Sequence, residues 1–493
     1  AGAVRPRTRP AFATSGVEHW VPKDEPRGMC RPRVEALLLA AGAALALDGR
    51  AWAQPGIGAL AEGAQLQEAG LRRGTRLELA NYVDLQYYAS LSVGTPAQTV
   101  TSIVDTGSFE LVVFSSDCQG CGKAGVFNSM LSDTHRSGHL VTQLTYGSGD
   151  VEGNQAKDYV ALGPGRAKRQ SFWEVHRASM PLLGHARFQS ILGVGPPETP
   201  ASDAWDFVAR AVREASDAAR SGRYRSPGEF MVRNVENALT SAMEISRSKA
   251  MLSNFHVRAF SMCLGRKPGS SGYLIWNDTV AQEHPQLFWH LPVVGKHSWT
   301  VQMTGVHLRR RGPDFAQADG EAYIGCRDGC GAIVDSGTSL MVVPTQAIAL
   351  MSDLLQMASF DCESLHELPS LVLTFGSMEL SLPPDAYVSR KKNSYPCKLE
   401  LSVLQSSSAS EVGPVWILGM PFLRQYYTTF DVGESLRKRA IRVAPASGNC
   451  TPHAPGFELA ADRAKPYLRS LDRESMYLPP LVKQVTSQSF LRI

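Results

Sequence analysis

The sequence predicts an all-β, two-lobed fold with a helical insertion, and three observations predict it. Short β-like runs recur between turn signals from about residue 87 to about residue 450. An acid turn occurs twice, 230 residues apart, as Ser102-Ile103-Val104-Asp105-Thr106-Gly107-Ser108 and as Ala332-Ile333-Val334-Asp335-Ser336-Gly337-Thr338-Ser339. Between about 200 and 250 the β pattern stops: Trp205, Val208, Val212, Ala215 and Ala219 fall at helical spacing among charged residues, and Glu236 to Met251 reads as a second helix. With 493 residues the chain is long enough for two substantial lobes. Its 43% apolar content, 43 glycines and 30 prolines fit a folded, loop-rich protein and exclude a disordered or fibrous one.

Residues 1–33 are rich in arginine and proline and show no period. The apolar run Ala36 to Leu47, behind Arg31 and Arg33 and ahead of Ala51-Trp52-Ala53, reads as a secretory signal; a buried Ala-rich helix is the other reading. At twelve residues it is too short to span a membrane comfortably. Its distance from residue 1 means either a long positively charged leader or a true start further in. Residues 1–53 are thus taken as an N-terminal extension and signal peptide. Residues 54–76, ending Leu71-Arg72-Arg73-Gly74-Thr75-Arg76, read as a pro-segment, although a basic cluster also suits a plain solvated face. A first lobe then covers 77–265, with the insertion at about 200–250 and Ser221 to Gly228 as its loop, and a second lobe covers 266–450. The tail 451–493 carries several charges and no long apolar run, so no membrane anchor is expected there. The net charge of +4 lies before residue 77: from there onward 39 basic residues face 39 acidic ones, which gives no reason to expect nucleic acid as a partner.

In the first lobe Tyr87-Tyr88-Ala89-Ser90-Leu91-Ser92-Val93 alternates as a strand, and Gly94-Thr95-Pro96 turns the chain toward Asp105. Each acid turn follows an apolar run suited to a buried strand, and its glycine permits a tight turn that leaves the carboxylate among hydroxyl and backbone donors. A repeat supports the pairing: Ile191-Leu192-Gly193 comes 86 residues after Asp105 and Ile417-Leu418-Gly419 comes 82 after Asp335. Two lobes facing each other across a pseudo-twofold axis would bring the two acids together. Two carboxylates at close range cannot easily both ionise and share a proton, so one acts as general base on a water while the other polarises a carbonyl; aspartic proteases are the standing example of such a dyad. Glycoside hydrolysis also uses two carboxylates but does not call for this duplicated turn.

From about Tyr82 to Pro445 the chain resembles the pepsin-like aspartic proteases. The motifs that carry the resemblance are Gly94-Thr95-Pro96-Ala97-Gln98, both acid turns, Tyr146-Gly147-Ser148-Gly149, both Ile-Leu-Gly steps, and Phe422-Leu423-Arg424-Gln425-Tyr426-Tyr427-Thr428-Thr429-Phe430-Asp431. The resemblance implies the bilobal pepsin-like fold, with Asp105 and Asp335 as the catalytic pair in a metal-free, cofactor-free endopeptidase. It implies that Thr106 and Ser336 bridge the lobes, that Ser108 and Thr338 hydrogen-bond the carboxylates from outside, and that Gly107 and Gly337 complete the turns. Tyr146, Gly147 and Ser148 would form the tip of a flap closing over a peptide, and Ile103, Phe188 and Ile191 would line an apolar substrate pocket or equally belong to the core. Many relatives carry a tryptophan in a Leu-Trp-Val run here; this chain has Leu111-Val112-Val113, which predicts a flap that closes less tightly.

Nine cysteines leave eight once Cys30 departs with the leader. The resemblance implies the pairs Cys118 with Cys121, Cys326 with Cys330, and Cys362 with Cys397. Cys118-Gln-Gly-Cys121 also has the spacing of a redox or metal motif, but no second Cys/His cluster accompanies it. Cys263 and Cys450 would pair across the inter-lobe sheet of the family, or else remain two free thiols. With the sequons Asn277-Asp278-Thr279 and Asn449-Cys450-Thr451, these features point to the secretory route, ending outside the cell or in an acidic vesicle. A monomeric zymogen acting on peptide or protein is expected. The alternative is a catalytically silent, protease-like binding or inhibitor protein.

Overall fold

A computed structural model describes residues 73–197, 199–220, 229–309, 320–357, 368–391, 412–447 and 449–454, together with Leu365 and short strands between 397 and 491. The expected signal sequence and nearly all of the pro-segment lie outside the described residues. The chain divides into two units. One holds residues 1–59, which are not described, and 211–235, where one helix ends and another begins. The other holds residues 60–210 and 236–493.

Its fold is predominantly β. The strand Thr75–Tyr82 shows why the residues choose it: Leu77 and Leu79 are buried while Arg76, Glu78 and Ala80 face out, the period of two that a half-buried strand demands. The strand that carries the second acid turn, Cys330–Val334, and the strand beside the first, Ser190–Gly193, are instead buried on both faces and read as continuous apolar or small-residue runs. Among the described residues one sheet of thirteen strands begins at Trp289–Pro292 and ends at Arg136–Tyr146. A seven-stranded sheet holds Cys330–Val334 beside Gly413–Leu418.

The larger sheet joins the two halves of the sequence. The late strand Tyr426–Asp431 pairs antiparallel with Ala259–Leu264, which pairs with Gly272–Trp276 and through it with Thr75–Tyr82. One buried cluster accordingly runs through both halves, from Leu77 and Val104 to Val334, Leu418 and Ile441. At its centre Phe260 stacks on Phe430 at 4.8 Å, with Trp299 edge-on to Phe430 at 5.3 Å. Aromatic pairs of this kind contribute about 0.5–1.5 kcal/mol beyond area burial. Trp299 also donates from Nε1 to the Val194 carbonyl at 3.0 Å, and buried Arg424 donates to the Asp84 carbonyl at 2.6 Å; both bonds tie the second half to the first.

The Ile-Leu-Gly repeat acquires its reason here. Ile103, Val104 and Asp105 lie in parallel register with Ile191, Leu192 and Gly193, and Ile333 and Val334 with Ile417 and Leu418. Each repeat is thus the strand beside its acid strand. The glycine lets the chain leaving the acid turn pass over it: a methyl at Gly193 would lie 2.6 Å from the backbone N and O of Glu110, and one at Gly419 would overlap the Thr338 and Leu340 carbonyls.

Three disulfides are present among the described residues, Cys118–Cys121, Cys326–Cys330 and Cys263–Cys450, while Cys362 lies outside them. The third closes 187 residues and pins the segment just after the strand Ala440–Pro445 to the strand Ala259–Leu264. Opening it by Cys263→Ser with Cys450→Ser is expected to cost about 2–5 kcal/mol in urea denaturation, because a long loop of the unfolded chain is released. A loss below the error of the measurement would mean that this bond does not constrain the unfolded state.

The insertion is a helix Thr199–Arg220, a helix Glu229–Arg247 and a single turn Met251–Asn254. The predicted second helix therefore begins seven residues early and stops short of Met251. Its start is hidden in the sequence because Phe230-Met231-Val232 is an unbroken apolar run with no helical period. Val208 is fully buried, and Trp205 Nε1 donates to Ser246 Oγ at 2.9 Å, joining the two helices. Ser221 to Gly228 lie outside the described residues.

Candidate active site

Asp105 ends the strand Gln98–Asp105, and Asp335 follows the strand Cys330–Val334 directly. Both are wholly buried. Each turn folds back on its own carboxylate. Asp105 Oδ1 accepts from the Gly107 N–H at 2.8 Å and Oδ2 from Ser108 Oγ at 2.7 Å; Asp335 Oδ1 accepts from the Gly337 N–H at 2.8 Å and Oδ2 from Thr338 Oγ1 at 2.6 Å. Each carboxylate also sits over the opposite turn's glycine. A methyl on Gly107 would lie 2.8 Å from the Asp335 carboxyl oxygens, and one on Gly337 would overlap Asp105 Oδ1. Only glycine lets the two acids come this close.

Below the carboxylates the turns grip each other. The Thr106 N–H donates to Ser336 Oγ at 3.1 Å and the Ser336 N–H donates to Thr106 Oγ1 at 2.9 Å. Thr106 Oγ1 donates in turn to the Val334 carbonyl at 2.9 Å, and Ser336 Oγ to the Val104 carbonyl at 2.8 Å. Each hydroxyl donates once and accepts once, which a serine or threonine can do and a purely apolar residue cannot. The arrangement is twofold symmetric, as the sequence repeat predicts. Burial, and then the charge of Asp105, push the Asp335 carboxyl well above the usual carboxylate range, although the Thr338 hydroxyl and the Gly337 N–H pull it the other way.

Tyr146 ends the strand Arg136–Tyr146, opposite Gly149 at the start of the strand Gly149–Ala161, so Gly147 and Ser148 form the two-residue tip of a hairpin. Tyr146 is buried in a cluster that also contains Ile103, Val112, Phe188 and Ile191, so the structure brings together four of the residues predicted to meet a peptide. All four are inside the protein. Burial, then the negative charges of Glu110 and Asp105, hold the Tyr146 phenol well above its ordinary value. Val112 is fully buried in this cluster, in register with Ile191 on one side and Trp173 on the other, and gives Tyr146 an apolar neighbour without a donor. Sequence reasoning missed Glu110, whose charge bears on Tyr146; the only trace of it in the sequence is one acid between Phe109 and the run Leu111-Val112-Val113. It also passed over Tyr88 as a strand residue, yet the ring lies 6.2 Å from that of Phe188 in the same cluster.

Comparisons with known proteins agree with this geometry. The family model described as eukaryotic aspartyl protease matches residues 86–215 and 236–445. Pepsin A of Bos taurus is 27% identical over 366 residues, covering 72% of this chain and 84% of the relative. Gastricsin of Homo sapiens is 30% identical over 368 residues, covering 72% and 81%, and cathepsin E-A of Xenopus laevis is 28% identical over 368 residues, covering 72% and 79%. With both acid turns, the mutual grip beneath them and a family match over most of its length, the chain belongs to the eukaryotic aspartyl proteases and has their bilobal pepsin-like fold.

Proposed function

We propose that this chain is an aspartic endopeptidase whose Asp105 and Asp335 hydrolyse peptide bonds through a water held between them. The observation that carries the reading is the symmetric cage in which each carboxyl keeps one oxygen on a backbone N–H and the other on a hydroxyl. Those bonds come from each carboxyl's own turn, while the two acids also bond to each other through their side chains, which suits a pair that shares one proton. One proton is shared by the pair. The ionised carboxylate takes a proton from water as its oxygen adds to the carbonyl carbon, and the protonated partner gives its proton to the carbonyl oxygen. As the tetrahedral intermediate collapses, the acid that took the water's proton gives it to the amine nitrogen, the C–N bond breaks, and the other acid takes back the proton it gave to the carbonyl oxygen, so the pair again holds one proton. Tyr146, Gly147 and Ser148 close over the peptide and exclude water, and the buried cluster of Ile103, Phe188 and Ile191 forms the apolar floor beneath the flap.

The chain is read as a monomeric zymogen of the secretory route, freed by cleavage before about residue 77. Two disulfide-bonded cysteine pairs of short spacing and one of long spacing support that compartment. No described helix is long and apolar enough to cross a membrane.

Processed protein incubated with an unfolded protein at pH 3 to 5 is expected to cut it, and pepstatin is expected to stop the cutting. Absence of pepstatin-sensitive cleavage across the acidic range would support the silent, binding reading, which the replacement of the indole by Val112 favours. An unprocessed chain with full activity would remove the zymogen from the account and leave the chemistry standing.

A further inference from the structure

The two sequons stand in opposite surroundings. Asn277 directly follows the strand Gly272–Trp276, is half-buried, and clasps a neighbouring stretch of chain: Oδ1 accepts from the Arg258 N–H at 2.8 Å and Nδ2 donates to the His256 carbonyl at 3.2 Å. Both partners lie on residues 256–258, so both bonds leave the same edge of the amide, and the hydrogen given to His256 is the one on the Oδ1 side. That is the hydrogen a sugar replaces, because an N-linked amide is planar and trans and puts its new carbon beside the oxygen. At a bond length of about 1.46 Å this carbon would stand about 2 Å from the His256 oxygen, well inside contact distance. The Thr279 hydroxyl of the same sequon is also engaged, accepting from Arg73 Nε at 2.8 Å and donating to Glu283 at 3.2 Å.

Asn449 is exposed in a tight turn. Its Oδ1 accepts from the Thr451 hydroxyl at 3.2 Å and from the Ser447 hydroxyl, while its Nδ2 gives no hydrogen bond among the described residues. The turn is closed by the Cys450 N–H on the Ser447 carbonyl and by the Ser447 N–H on the Thr451 carbonyl, both at 3.0 Å, and the Cys263–Cys450 bond anchors it. A sugar on Nδ2 displaces none of these bonds.

We propose that Asn449 carries an N-linked oligosaccharide and that Asn277 does not. The proposal rests on the reading of the chain as a protein of the secretory route. In the transfer, Asn449 Nδ2 attacks the anomeric carbon of an oligosaccharide held as a lipid pyrophosphate by a glycosyltransferase. The N–C bond forms, the C–O bond to the pyrophosphate breaks, the pyrophosphate leaves with the electron pair, and Nδ2 gives one proton to a base of the transferase. A sugar added to the unfolded chain has to fit the folded one. A chain modified at Asn449 closes its turn unhindered, whereas one modified at Asn277 cannot form the clasp on 256–258.

The test expresses the full chain in a eukaryotic secretory host, once behind its own leader and once behind a supplied signal peptide. Secreted protein with the Cys263–Cys450 bond formed is treated with peptide N-glycosidase in heavy-oxygen water, which converts each glycosylated asparagine to a labelled aspartate. Mass mapping is expected to find the label at Asn449 and none at Asn277, and Thr451→Val, which removes the hydroxyl of the sequon, is expected to abolish it. A label at Asn277, its absence from Asn449, or its survival in Thr451→Val would each overturn the proposal. The two arms separate the site from the route: a label at Asn449 behind the supplied signal, with no secreted protein behind the chain's own leader, would support the site and remove the compartment reading.

Discussion

The Asp335→Asn variant is expected to melt at a higher temperature than the unaltered chain at pH 7 and at nearly the same temperature near pH 3. The Asp335 carboxyl is pushed up in the folded protein by burial and by Asp105, whereas in the unfolded chain an aspartate titrates at about 3.9. Between those two values the folded state holds a proton that the unfolded state has released. Stability therefore falls as pH rises from about 4 toward the folded value, and is fully present below the unfolded value. Asparagine never ionises, so it escapes that loss. It keeps an oxygen for the Gly337 N–H, and its amide donates to the Thr338 hydroxyl, which can accept. Calorimetric melting of both proteins from pH 3 to 7 checks this. Melting temperatures that stay parallel over the range would show that Asp335 does not hold a proton against solvent in the folded state.

Thr106→Val is expected to remove about 2–5 kcal/mol of stability, because two buried backbone groups each lose a partner worth about 1–3 kcal/mol. The Val334 carbonyl loses the Thr106 hydroxyl and the Ser336 N–H loses its acceptor, and no water replaces them at a position that is wholly buried. Valine matches threonine in shape, so packing is preserved and the loss belongs to the hydrogen bonds. Thr106→Ser keeps the hydroxyl and is expected to stay within about 1 kcal/mol, the cost of one methyl group. Urea denaturation of the two variants separates the readings: equal losses would assign the effect to packing and leave the grip without energetic weight.

The parts of the site that a local pattern encodes were legible in the sequence. Asp-hydroxyl-Gly after an apolar run specifies a buried strand end and a turn, and two copies specify a pair. That the Thr106 and Ser336 hydroxyls bond across the two turns could be expected only from the family resemblance, which supplies a topology that a single chain does not. What stayed hidden depends on close approach between distant segments. Gly193 and Gly419 stood out as a repeat, yet their reason, a chain crossing within 2.6 Å of Gly193, exists only in three dimensions. Glu110 was unreadable because its effect on Tyr146 passes between the bend before Leu111 and a hairpin tip 36 residues further on. The first turns of the helix Glu229–Arg247 were lost to an apolar run without period.

The central claim is that Asp105 and Asp335 act as one proton-sharing pair on a peptide bond. It is tested most directly by kcat/KM for a single peptide between pH 2 and 8 in the unaltered chain, in Asp105→Asn and in Asp335→Asn. The account predicts activity on the acidic side that falls as the shared proton is lost, and a drop of about 10²–10⁴-fold or more in each variant at every pH, the usual worth of a positioned acid or base. Cleavage by either variant within tenfold of the unaltered chain, or activity that rises steadily toward neutral pH, would contradict it.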